Sequence, residues 1–245
     1  MRAFLYGLAL QWRLDIRSKT LLITCYFVPL LFFAVMGGIF TSLMPETRET
    51  LIASMSIFGI SMGALIGVPP TLVETYGSDI IKGYRANGVP VWLPLILTEL
   101  SACFHLLLMG LILYMAAPLL FDAKTPDEPA EYFGALVLFI AVSVAASGVI
   151  GLAVKEQSRT SMFSILFFLP SILLSGILFP AEALPEAFAA AGNLLPSTWG
   201  YRLMTENGPL WPNLWPLCLL FAAAAGLGGY FLRRAGRAGR GKTEG

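Results

Sequence analysis

Few side chains in this sequence combine a reactive type with a suggestive spacing. His105 is the single histidine of the 245 residues, so a histidine cluster or an H-E-x-x-H zinc site is excluded. Glu99 stands six positions before it, in the same long apolar stretch. Ionisable groups in such a stretch are suited to relaying a proton. Six residues take roughly 240° of helical turn, though, so the two do not share a face. A satisfied carboxylate near an interface and a hydrogen-bonded core histidine are the preferred readings. Ser61 lies in Gly59-Ile-Ser61-Met-Gly63, which fits the G-x-S-x-G pattern of a nucleophilic serine. That pattern needs a strand-to-helix turn, and this segment reads as the middle of a helix. A membrane-embedded serine protease pairing Ser61 with His105 is the enzymatic reading that remains. Residues 236–243 match the phosphate-loop pattern GxxxxGK[ST], but no strand precedes them and no helix follows, so they have no scaffold for cradling a nucleotide.

The elements that would carry these residues are six apolar spans, at 20–43, 52–73, 91–121, 132–154, 160–178 and 214–232. Each is long enough for a helix to cross about 30 Å of hydrocarbon. Without water the backbone must satisfy its own hydrogen bonds, and a helix does so. Glu99 is the only formal charge inside them. The fold class is therefore an all-α membrane protein. It divides into an amphipathic helix over 1–19, a six-span domain over 20–232 and a basic tail over 233–245.

Charge gives the orientation. Of the sixteen Lys and Arg, only Arg48, Lys124 and Arg202 fall on one set of alternate connections. The others lie in the N-terminus, 74–90, 155–159 and the tail. This asymmetry predicts both termini in the cytoplasm of a multi-pass cell-membrane protein. The opposite connections are acidic, with Glu46, Glu49, Asp122, Asp127, Glu128, Glu131, Glu182, Glu186 and Glu206. All five tryptophans fall at expected interfaces, as aromatic belts require. Segregation of charge by side, with a net charge of only +1, argues against a nucleic-acid partner. Cys25, Cys103 and Cys218 sit within spans and read as small apolar residues, without a disulfide or metal framework.

Leu5, Leu8, Ala9, Trp12 and Ile16 share a helical face, with Arg13 and Arg17 off it. That pattern favours an interfacial helix over a plain charged leader. Gly59, Gly63 and Gly67 make a flat stripe for close helix packing; Ser143, Ser147 and Gly151 repeat it in the fourth span. The connection 74–90 has an apolar side in Ile80, Ile81 and Tyr84 and suits docking of a cytoplasmic partner, although a hydrophilic loop explains its composition equally well. Residues 179–212 are too apolar for a free loop and are interrupted by Pro180, Pro185 and Pro196. They predict short helices dipping part-way into the membrane.

These features together resemble the membrane subunits of type-2 ABC exporters. The six-span plan with an amphipathic leader is similar. So are Glu74…Gly77 followed by Tyr84-Arg85-Ala-Asn-Gly-Val-Pro90, and Leu174-Ser-Gly-Ile-Leu-Phe179-Pro180…Leu184-Pro185…Leu195-Pro196. The resemblance implies a non-catalytic permease that moves an amphipathic cargo outward: a drug, an antimicrobial peptide or a lipid-like molecule. It implies a pair of separate ATP-binding subunits, which would hold ATP and Mg, and a second permease copy or paralogue. Residues 74–90 would be the coupling element, with Glu74, Gly77, Lys82, Tyr84, Arg85 and Pro90 making or shaping the contact. Phe179, Pro180, Pro185 and Pro196 would belong to an outer gate. The second and fifth spans would line the cavity, with Phe163, Phe167 and Phe168 as apolar lining. Two other readings compete: a proton-coupled transporter using Glu99, and the Ser61/His105 protease.

Overall fold

The computed structural model describes residues 2–78, 80–154, 156–179, 184–206 and 209–238. These residues form helices and turns, with no strand among them. In chain order the helices are α1 (Arg2–Arg17), α2 (Lys19–Leu43), α3 (Leu51–Gly77), α4 (Ile80–Ala86), α5 (Leu93–Phe121), α6 (Pro129–Ala153), α7 (Gln157–Leu173), α8 (Glu186–Gly192), α9 (Pro196–Thr205) and α10 (Trp211–Ala238). Five of them, α2, α3, α5, α6 and α10, are long and apolar enough to cross a bilayer.

The expected span at 160–178 differs. α7 has 17 residues and stops at Leu173, a rise of about 25 Å. Beyond it Gly176 takes a φ of +89°, a left-handed conformation that a side chain would strain. The ring of Tyr201 lies 3.4 Å from where a Cβ on Gly176 would sit. Ser175 closes the bend: its hydroxyl donates to the Ile172 carbonyl and accepts from the Ile177 amide. Residues 174–178 are therefore apolar because they are packed, and they are not a helical continuation.

α3 is the centre of the bundle, with 89% of its most apolar window buried. Ile57, Ile60 and Leu72 are wholly enclosed. It therefore presents little surface to any cavity outside the chain, whereas α7 leaves Met162, Phe163, Leu166 and Phe167 exposed. Close packing follows from the glycines. A Cβ on Gly63 would lie 2.5 Å from Leu106 and 3.0 Å from the Cys25 sulfur, and one on Gly67 would lie 2.7 Å from the Thr24 hydroxyl. Gly59 meets Pro29 and Met109 at ordinary contact distance. The stripe thus faces α2 and α5. On the other side, Gly151 of α6 lets α3 approach; its Cβ would be 2.7 Å from the Leu72 Cβ and 3.2 Å from the Pro69 carbonyl oxygen.

Both α2 and α3 contain a π-helical turn, at Ile23–Phe27 and Gly63–Gly67. Each precedes a proline, Pro29 in one case and Pro69-Pro70 in the other. Proline has no N–H to offer the carbonyl one turn earlier, and a widened turn relieves the mismatch. The two π turns pack against each other through Cys25, Thr24, Gly63 and Gly67.

Connections sort to two ends. The Lys124 amide donates to the Arg48 carbonyl at 2.9 Å, joining the α2–α3 and α5–α6 connections at one end, which carries Glu46, Glu49, Asp122 and Asp127. α1, α4 and the α6–α7 connection occupy the opposite, basic end.

Candidate functional site

At the basic end α4 is built with defined start and stop signals. The Ser78 hydroxyl accepts from the Ile80 amide at its start. At its end the Val89 amide donates to the Tyr84 carbonyl at 2.9 Å, while Gly88 takes φ +70°. This is the Schellman closure that favours glycine. Asn87 adds a side-chain bond to the Gly83 carbonyl. The Tyr76 hydroxyl then ties the whole connection to α5: it donates to the Val91 carbonyl at 2.6 Å and accepts from the Leu95 amide at 3.1 Å.

The helix so held is two-sided. Ile81 is buried under the bundle, while Ile80, Lys82, Gly83 and Tyr84 are exposed. Glu74 is exposed on the last turns of α3, and Gly77 ends that helix. The Pro90 carbonyl accepts from the Leu93 amide where α5 begins. The backbone of Arg85 lies in the last turn of α4. Glu74, Gly77, Lys82, Tyr84 and Pro90 therefore lie along one connection at the basic end, from the last turns of α3 through α4 to the start of α5.

The chemistry-bearing residues inside the bundle are separated. Ser61 lies 3.3 Å from the Ser197 hydroxyl of α9, both buried. His105 Nδ1 is 2.7 Å from the Tyr26 hydroxyl, and its ring stacks on Trp12 with centroids 4.1 Å apart. A serine nucleophile needs its base within hydrogen-bond reach, and here each residue is engaged elsewhere. The Glu99 carboxylate rests over Gly148 of α6, where a Cβ would collide with it. Among the described residues Glu99 and His105 share no hydrogen-bond partner.

Beside His105 lies a contact that pattern reading missed. Asp15 of α1 is almost wholly buried. Its carboxylate accepts from the Ser101 hydroxyl of α5 at 2.5 Å and from Gln11 Nε2 at 2.9 Å. Burial pushes the Asp15 carboxyl above its ordinary range, and the two hydrogen bonds oppose that rise. α1 therefore docks through Gly7, Gln11, Trp12 and Asp15, while Leu5, Leu10 and Ile16 stay exposed. The docking stripe is more polar than the apolar face seen in the sequence: Trp12 of that face turns inward onto His105, while Leu5, Ala9 and Ile16 stay exposed.

At the acidic end α8 and α9 form a tight pair. Thr198 and Trp199 donate to the Gly192 and Asn193 carbonyls. Pro185 caps α8 and Pro196 opens α9. α9 sits deep against α3 and α6, because Gly200 leaves room for Phe139 and Ile57. Phe179 is exposed beside this pair; Pro180 lies outside the described residues. Of the three α7 phenylalanines, Phe163 and Phe167 are exposed, whereas Phe168 is buried edge-on to Phe58. They do not share a surface.

A helical bundle with five bilayer-length helices, an amphipathic helix docked at its basic end and a presented short helix there defines a polytopic helical membrane protein. The chain belongs to the ABC-2 type transporter family, whose membrane-domain model matches residues 2–208, from α1 through α9. It is thus of the permease class of ABC transporter membrane subunits. No curated protein matches the chain.

Proposed function

We propose that this chain is the non-catalytic permease subunit of an ATP-driven exporter, with its basic end in the cytoplasm. A pair of separate ATP-binding subunits docks on α4 and carries the ATP and Mg chemistry. A second permease copy or paralogue completes the pathway. α7 with residues 174–178 acts as the remaining span, and α8–α9 as a re-entrant gate on the outer side. The cargo is amphipathic, since the apolar bundle offers few polar partners to a hydrophilic solute. One observation carries the reading: α4 is capped at both ends, anchored by Ile81 and the Tyr76 bridge, and still presents Lys82, Gly83 and Tyr84 to solvent. A loop without a partner has no use for that construction. ATP-driven closure of the docked subunits would shift α4, and the Tyr76 bridge would pass the movement to α3 and α5 together.

Purification of the chain from its native membrane in mild detergent tests this. An ATP-binding subunit is expected in near-equal amount, depleted when Tyr84 and Arg85 are both changed to Ala. A chain that purifies alone, from cells shown to express the ATP-binding subunit, contradicts it.

A further inference from the structure

At the acidic end a cavity of about 390 Å3 opens between the end of α2, the start of α3, residues 175–179 and α9. Ligand pockets begin at about this size. Its walls are of two kinds. Phe40, Leu51 and Ile177 supply apolar surface, and Glu46, Ser54 and Arg202 supply polar groups. Ser54 is 4% exposed, yet its hydroxyl has no hydrogen-bond partner among the described residues. A hydroxyl on a cavity wall without a protein partner is free to bond a ligand there.

The charges differ in how they are matched. Arg202 Nε lies 3.8 Å from Glu206, and its guanidinium sits over the Trp199 ring at 5.1 Å. Glu206 also accepts from Asn213 at 2.7 Å. Glu46 has no ion-pair partner among the described residues. Among the described lining residues two carboxylates stand against one guanidinium, and the unpaired one is the exposed Glu46. A cavity with apolar walls and an exposed, unpaired carboxylate at its rim suits a cation with a bulky apolar body.

We propose that this cavity is a binding site for cationic amphiphiles, with Glu46 facing the positive head, Ser54 hydrogen-bonding its polar substituents and the apolar wall taking its body. The inference rests on the permease reading and narrows its cargo from amphipathic to cationic. The full chain in nanodiscs of zwitterionic lipid is titrated with tetraphenylphosphonium, and binding to empty discs is subtracted. Its anionic isostere, tetraphenylborate, is run in parallel. Saturable phosphonium binding is expected, weakened about fivefold by Glu46→Gln, the scale of one partly exposed ion pair. Ser54→Leu, which fills the chamber, is expected to weaken it as well, and tetraphenylborate is expected not to compete. Absence of saturable binding, indifference to both substitutions, or preference for tetraphenylborate would each overturn the site. The ATP-binding subunit co-purifying while phosphonium fails to bind removes the site and leaves the permease reading standing. Site-dependent binding by a chain that recruits no ATP-binding subunit does the reverse.

Discussion

At the scale of single residues, Asp15 carries the docking of α1. Changing it to Ala leaves Ser101 and Gln11 without their acceptor, and an orphaned buried donor is worth about 1–3 kcal/mol. A clear fall in melting temperature is expected in thermal unfolding of the detergent-solubilised chain. The pH dependence has a definite sign. Burial raises the Asp15 carboxyl above its unfolded value, so the folded chain binds that proton more tightly. Its contribution to stability is therefore greatest in acid and is lost as pH rises through the raised value. Asp15→Asn should flatten this slope, because it removes the titration and keeps an acceptor; an unchanged slope would show that another group sets it. Nothing in the sequence marked this residue. An acid on an amphipathic helix reads as part of the solvated face, and only the approach of Ser101, 86 positions away, makes it buried. Ser61 and His105 were conspicuous as types, and only the fold gave them separate partners, Ser197 and Tyr26.

At the scale of elements, close helix approach was legible and the ends of helices less so. The glycine spacing in α3 and α6 points to packing, and the structure places Gly63 and Gly67 against α2 and α5 and Gly151 against Leu72 and the Pro69 carbonyl of α3. Gly151→Ala should destabilise by about 1–3 kcal/mol, since Leu72 Cβ and the Pro69 carbonyl cannot move aside as a side-chain tip would. Gly134→Ala, on the same helix with open space around it, should be neutral or stabilising by up to about 1 kcal/mol. Paired melting curves check both, and equal effects would contradict the packing account. The end of α7 was misplaced by hydropathy because residues 174–178 are as apolar as a span; Gly176 and its contact with Tyr201, a long-range feature, end the helix. The π turns had a local cause in Pro29 and Pro69-Pro70, but their mutual packing is tertiary. Tyr76→Phe removes both bonds that tie the end of α3 to Val91 and the start of α5, across the base of the connection that carries α4. Hydrogen exchange of amides over 78–92 should then quicken markedly, with the rest of the bundle unaffected.

At the scale of the whole molecule, the account divides the chain into a packed bundle and two differently built ends. The basic end presents α4 on a braced connection, and the acidic end seats α9 in the bundle beside a mixed cavity. Family membership supplies the permease class, and in the proposed function the braced α4 is where the ATP-binding subunit would dock. The most direct measurement is a photo-crosslink from benzoylphenylalanine in place of Tyr84, compared with the same group in place of Leu194 at the acidic end, both exposed positions. In native membranes the Tyr84 site should crosslink to the ATP-binding subunit and the Leu194 site should not. Crosslinking from Leu194 instead, or from neither while the complex is demonstrably assembled, would contradict the assignment of α4 as the coupling element.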